Sequence, residues 1–151
     1  MSTFSLVNNF SLVLQTDVFK YIGFAWISCI VGTVLSNAIV SRVLGTSEVM
    51  TKPPFRDFKT IQMLYYPLIS CIVQPLLFAL LAFTLFGETT VRSWDTNTAI
   101  SFTSSVWFAT SFHGIWLDYT TFTIPFSVPL LFWISSFTHA VITGYFLGYV
   151  L

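Results

Sequence analysis

The chain has 151 residues, of which 55% are hydrophobic and only 8% are charged, and its formal net charge at pH 7 is zero. This composition excludes an ordinary water-soluble domain, in which charged residues make up about a quarter of the sequence. The zero net charge argues against nucleic-acid binding, which requires a basic surface.

Four long windows of the sequence contain no Asp, Glu, Lys or Arg. They are residues 21–41, 60–87, 96–117 and 119–151. A helix needs about 20 apolar residues to cross the hydrocarbon core of a bilayer, and each window is long enough. Because backbone polar groups in lipid must bond within their own segment, each window predicts one transmembrane helix.

The predicted fold is therefore all-α: a single integral membrane domain over residues 1–151, with four transmembrane helices in an antiparallel bundle. We place the spans at about 21–41, 62–86, 98–117 and 127–150. Before the first span, apolar residues between Phe4 and Phe19 recur at helical spacing. This segment is compatible with a short interfacial helix or with a partly ordered tail. A signal peptide is not indicated, because no basic residue precedes Lys20.

A basic loop follows the first span. Residues 42–60 contain Arg42, Lys52, Arg56 and Lys59, whereas the other connections hold few basic residues. The positive-inside rule predicts that this loop faces the cytoplasm or its matrix equivalent, with both termini on the opposite side. The sequence does not identify the membrane.

Prolines mark two of the spans. In the second span we expect regular helix from about Pro67 and a kink near Pro75, because proline removes one backbone hydrogen bond. The fourth span should start between Pro125 and Pro129. The third span carries several Ser and Thr residues. It is either a helix buried among protein neighbours or the lining of a hydrophilic conduit.

Two spans carry small residues at intervals of four. These helix-packing candidates are Ser136, Ala140, Gly144 and Gly148 in the fourth span, and Ser28, Gly32 and Ser36 in the first. Helices in lipid associate through close backbone approach, which small side chains permit. The stripes predict tight packing, either between the first and fourth spans of one chain or with another subunit.

The two histidines lie in different spans, His113 near the end of the third and His139 well inside the fourth. Ionisable residues within a membrane are candidate cofactor or proton sites. Their expected depths differ by about 7–15 Å at 1.5 Å per residue, which disfavours a shared metal site. The alternative is a neutral imidazole bonded to a hydroxyl, for which Thr143 lies one turn from His139.

Catalytic motifs are absent from the sequence. There is no Gly-x-Ser-x-Gly elbow, no His-Glu-x-x-His zinc motif and no cluster of histidine boxes. Cys29 and Cys71 sit in separate hydrophobic windows and form neither a Cys-x-x-Cys pair nor a metal-ligand cluster. We therefore expect no enzyme activity, no metal and no cofactor.

The stretch Thr138-His139-Ala140, continued by Gly144 and Gly148, together with the order of spans and the basic loop, resembles an uncharacterised family of small four-helix membrane proteins. That resemblance implies a fold and no chemistry. This sequence lacks the aromatic-Tyr pair that the family usually shows in its first helix.

The stretch from His113 to Tyr119, HGIWLDY, is similar to part of the small membrane-anchor subunit of succinate dehydrogenase. That resemblance implies that His113 is a haem ligand and that Asp118 and Tyr119 lie beside a quinone. The spacing departs from the family, because the gap between His113 and Asp118 is about half as long or less.

These observations predict a non-catalytic integral membrane protein that interacts with the lipid bilayer and with other membrane subunits, or with copies of itself, as a scaffolding component. Two alternatives stay open. One is a redox membrane-anchor subunit with a quinone or haem site, and the other is a small channel or carrier lined by the third span.

Overall fold

The structure, a computed structural model, describes residues 15–46, 62–121 and 125–151. Its helices are α1 (Thr16–Leu44), α2 (Gln62–Phe86), α3 (Glu88–Val91), α4 (Thr96–Thr121) and α5 (Ser127–Val150). The described residues contain no strand, so the all-α prediction is confirmed for them. Most of the predicted interfacial helix and of the basic loop lies outside the described residues.

Two glycines end the first two long helices. Gly45 follows α1 with φ 63°, in the left-handed region, and the next N–H, of Thr46, donates to the Ser41 carbonyl at 3.0 Å. Gly87 separates α2 from the short α3 with φ 80° and ψ 158°, a conformation that L side chains rarely adopt. The helix α2 runs without a break from Gln62 to Phe86 and includes both Pro67 and Pro75. It therefore begins before Pro67, where the sequence predicted its regular start.

The helix α5 is central to the packing. It lies against α1 on one side and α4 on another and also touches α2, while α1 packs on α2. Asp17 near the start of α1 pairs with Arg92 after α3, and Gly148 near the end of α5 lies against Thr96. The start of α1, the connection from α2 to α4 and the end of α5 therefore share one end of the molecule.

The larger apolar cluster lies at that same end and joins all the helices. Its buried members are Val18, Tyr21, Ala25, Ala79, Ala82, Phe83, Val91, Ala99 and Leu147. The Tyr21 hydroxyl is fully buried and donates to the Pro75 carbonyl at 3.0 Å, which ties α1 to α2. A smaller cluster of Phe78, Trp107 and Ala140 joins α2, α4 and α5 further along.

Two of the helices, Thr16–Leu44 and Ser127–Val150, are long and apolar enough to cross a membrane by length and composition. Only 12% of the most apolar window of α1 is buried inside the molecule, so this helix presents most of its apolar surface outward. The other two predicted spans, and with them the four-span topology, stay predictions.

Candidate functional site

The helices α4 and α5 approach each other closely at two glycines of α5. A Cβ atom added to Gly144 would lie 2.7 Å from the Cα of Ile100, and one added to Gly148 would lie 2.6 Å from the Cα of Thr96. Real Cβ atoms do not approach other carbons so closely. The two glycines therefore allow the backbones of α4 and α5 to touch.

The same face of α5 makes two hydrogen bonds to α4. The Thr103 hydroxyl donates to the Ala140 carbonyl at 2.8 Å, and the Trp107 indole N–H donates to the Ser136 hydroxyl at 3.0 Å. All four residues of the α5 stripe thus lie against α4. The first and fourth spans, predicted to pack together or with another subunit, do pack against each other, but α1 occupies a different face of α5 from the stripe.

The stripe on α1 packs against this second face of α5. A Cβ atom on Gly32 would lie 2.9 Å from the Cδ1 of Ile142, and the Ser36 hydroxyl is 3.5 Å from that of Ser135. Ser28, the third residue of the stripe, is half-buried. Each stripe therefore sits at a helix contact, but the two stripes do not face each other.

Polar side chains line the contact of α1 with α5, and we call them the α1–α5 polar row. Its members are Cys29, Thr33 and Ser36 of α1, and Ser135, His139 and Thr143 of α5. Steps of four and then three residues forward along α1 are matched by two steps of four residues backward along α5, as antiparallel helices require. The row is therefore a continuous line of thiol, hydroxyl and imidazole groups between two helices.

His139 is bonded to Thr33 at the centre of this row. The imidazole is buried, with 7% of its surface exposed, and its Nε2 atom lies within hydrogen-bond distance of the Thr33 hydroxyl. The same hydroxyl lies 2.7 Å from the Cys29 carbonyl, to which it can donate. With its proton on that carbonyl, Thr33 accepts from His139, and a neutral imidazole protonated at Nε2 fits this arrangement.

The partner of His139 differs from the one that the sequence suggested. Thr143, one turn away on the same helix, instead lies 3.8 Å from the Cys29 sulfur. The predicted type of partner, a hydroxyl, is present, but it comes from another helix. Spacing along the chain identifies neighbours on one helix and cannot identify those contributed by a second.

The two cysteines lie on neighbouring helices. Cys29 of α1 and Cys71 of α2 are both fully buried, and α1 packs against α2. Within the described ranges, no three His, Cys, Asp or Glu side chains are grouped so that they could hold a metal ion.

A network of charged and polar groups fixes the end of the molecule where α1 begins. The Arg92 guanidinium pairs with Asp17 at 2.6 Å and with Glu88 at 2.8 Å, and it also donates to the side-chain oxygen of Gln15. The pKa of Arg92 is raised by its hydrogen bonds to Asp17 and then to Glu88. Because Arg92 lies in the connection between α2 and α4, the network attaches the start of α1 to that connection.

The structure separates the remaining candidate residues. His113 is exposed on α4, whereas His139 is buried against α1, so the two histidines are not brought together. Asp118 and Tyr119 belong to the last part of α4, but their side chains lie outside the described residues. The haem and quinone hypothesis for these positions stays a prediction.

Comparison with protein-family models, curated proteins and solved structures gives no match to this chain. Both resemblances noted in the sequence therefore stay predictions.

Proposed function

We propose that the chain is a four-span integral membrane protein that acts as a non-catalytic subunit of a membrane assembly, formed with other proteins or with copies of itself. Two features of the packing support this proposal. One is the distribution of polar and apolar side chains between interior and surface, and the other is the outer face of α4.

Polar side chains are prominent in the interior, and large apolar side chains cover much of the outside. Thr103, His139 and Thr143 are buried and bonded to neighbouring helices. The exposed large side chains of α1 are Phe19, Phe24, Ile27, Val31, Val34, Leu35, Ile39 and Val43. In lipid, exposed apolar side chains cost no free energy, and hydrogen bonds between interior polar groups hold the helices together. This distribution therefore fits a bilayer.

The outer face of α4 differs from that of α1, and this observation carries the subunit proposal. Ser101, Ser105, Ala109 and His113 are all exposed and recur every four residues along α4, with Phe108 exposed beside them. The first three are small residues at a spacing that allows another helix to approach closely, and serine hydroxyls can bond across such a contact. A face of this kind suits a neighbouring protein helix better than it suits lipid.

The proposal is tested by placing a bulky side chain on each of the two outer faces. Ser105→Phe alters the exposed α4 face, and Val34→Phe alters the α1 face at a residue that is 63% exposed. Protein is extracted from its native membrane in mild detergent, and its mass is measured by light scattering after size-exclusion chromatography.

We expect the wild-type assembly to be heavier than the 17.1 kDa chain. Ser105→Phe should shift the mass toward that of the single chain, while Val34→Phe leaves it unchanged because Val34 faces lipid. A wild-type mass equal to one chain, or equal losses in the two variants, would contradict the proposal.

A further inference from the structure

Four aromatic rings form an exposed surface across α1 and α5, which we call the aromatic ledge. The Phe24 ring stacks on that of Phe146 with centroids 5.9 Å apart, and the Tyr145 ring stacks on that of Tyr149, also at 5.9 Å. Tyr145 meets Phe146 edge to face at 5.3 Å, which joins the two pairs. Phe24, Tyr145 and Tyr149 are all exposed, so the ledge faces outward.

Lys20 lies at the same depth as the outer edge of this ledge. It precedes Phe24 by four residues on α1, and residues at this spacing share one face of a helix. Tyr149 follows Phe146 by three residues on α5. Because α1 and α5 are antiparallel and meet where Phe24 stacks on Phe146, Lys20 and Tyr149 both lie about one turn beyond that contact, toward the same end of the molecule.

The charge of Lys20 is available to a ligand. Arg92, the other cation at this end, is paired with Asp17 at 2.6 Å and with Glu88 at 2.8 Å. Lys20 is exposed and belongs to neither of these two salt bridges, which are the ones found among the described residues. An exposed ammonium group beside aromatic rings is suited to an anionic group that is attached to an apolar body.

The surface of α1 continues from Phe24 as an apolar track away from Lys20. Ile27 is 58% exposed and Val31 is 52% exposed on the same outer side of the helix. We propose that Lys20 and the aromatic ledge bind one phospholipid, with its phosphate on the Lys20 ammonium group and the Tyr149 hydroxyl and an acyl chain along this track. Lys and Tyr side chains at the edge of an apolar surface are typical of the headgroup level of a bilayer.

A lipid phosphate suits this site better than a free phosphate ion. A single exposed lysine provides little attraction for a small ion in water, because solvent and salt screen its charge. An acyl chain adds apolar contact, which contributes about 0.8 kcal/mol for each buried CH₂ group. The site lies away from the exposed α4 face and rests on the proposed placement of the chain in a bilayer.

The test compares two lipids that differ only by a phosphate group. The full-length protein is purified in dodecyl maltoside, freed of native lipid and mixed with dioleoylphosphatidic acid, dioleoylglycerol or inorganic phosphate. Native mass spectrometry then counts the molecules that each protein retains. We expect the wild type to retain the phosphatidic acid at concentrations at which it retains neither dioleoylglycerol nor inorganic phosphate.

Variants at the two ends of α1 locate the site. Lys20→Gln should weaken retention of the phosphatidic acid about fivefold, which is the contribution of one lysine near a charged membrane surface. Lys20→Arg should keep most of the binding because it keeps the charge. The matched control is Arg42→Gln, since Arg42 is also basic and exposed but lies at the other end of α1. Its lipid retention should equal that of the wild type.

The outcomes separate this inference from the proposed function. Equal retention of phosphatidic acid and dioleoylglycerol, or equal losses in Lys20→Gln and Arg42→Gln, would overturn the phosphate site and leave the bilayer placement standing. Retention of inorganic phosphate alone would also overturn it. A wild-type protein that retains neither lipid would contradict the bilayer placement as well. The wild-type comparison does not depend on the folding of any variant.

Discussion

At the scale of single residues, the hydroxyl of Thr33 connects two helices with two hydrogen bonds. It donates to the Cys29 carbonyl on its own helix and is hydrogen-bonded to the imidazole Nε2 of His139 on α5. A threonine is tolerated in an apolar helix because it can return its proton to the preceding turn. The sequence predicted a hydroxyl beside His139 but named Thr143, since only neighbours on the same helix follow from spacing.

Replacing Thr33 with valine tests this connection. Thr33→Val keeps the shape but leaves the buried Nε2 atom of His139 without its hydrogen-bond partner. We expect the free energy of unfolding to fall by about 0.6 kcal/mol, the average measured for hydrogen bonds between membrane helices, and by no more than their maximum of about 1.7 kcal/mol. Unfolding in detergent mixtures, followed by circular dichroism, measures the change.

Thr110→Val is the matched control for that variant. Thr110 is exposed, and its hydroxyl bonds only to carbonyls of its own helix, with Val106 at 2.8 Å. Its replacement should change stability by less than the replacement of Thr33. Equal effects in the two variants would mean that the bond to His139 contributes nothing measurable.

At the scale of helices, α5 presents different faces to α1 and α4. The stripe from Ser136 to Gly148 meets α4, and the face with Ser135, His139 and Thr143 meets α1. The sequence identified the small residues because their spacing sets how closely a helix can approach. It could not identify the partner helix, because small side chains permit the close approach of any helix of suitable shape.

Gly144→Ala tests the contact of α4 with α5. The added methyl group would overlap the Ile100 backbone at 2.7 Å, so the helices must separate. Overpacking of this kind lowers the free energy of unfolding by about 1–3 kcal/mol, and Gly144→Leu should cost more. The same unfolding measurement applies.

Gly23→Ala is the control for this prediction, because nothing lies within 4 Å of a Cβ atom added at Gly23. Alanine there should be neutral or slightly stabilising, since it favours helix more than glycine does. A Gly144→Ala protein as stable as Gly23→Ala would show that the backbones of α4 and α5 do not touch.

At the scale of the whole molecule, the sequence predicted the class of fold better than its details. The all-helical class followed from the long apolar windows, and two helices, α1 and α5, have the length and composition to cross a membrane. The contact of the α5 stripe with α4 did not follow, because contacts between distant parts of a chain depend on helix rotation. Periodicity alone does not determine that rotation.

Orientation in the membrane can be tested independently of packing. The basic loop with Lys52, Arg56 and Lys59 should face the cytoplasm or matrix, and the C-terminus should face the opposite side. Cysteines are introduced singly, in a background with Cys29 and Cys71 replaced, and are labelled with a membrane-impermeant maleimide from each side. Labelling of a loop cysteine from the outer side would reverse the assignment.

We propose that this chain lies in a bilayer with its α1 face in lipid and its α4 face covered by a neighbouring protein helix. Spin labels at Val34 and Ser105, in the native membrane, test both parts through their accessibility to oxygen and to a water-soluble nickel complex. We predict high oxygen and low nickel accessibility at Val34, and low accessibility to both at Ser105. Nickel access at Val34 would contradict the membrane assignment, and high oxygen access at Ser105 would contradict the neighbouring helix.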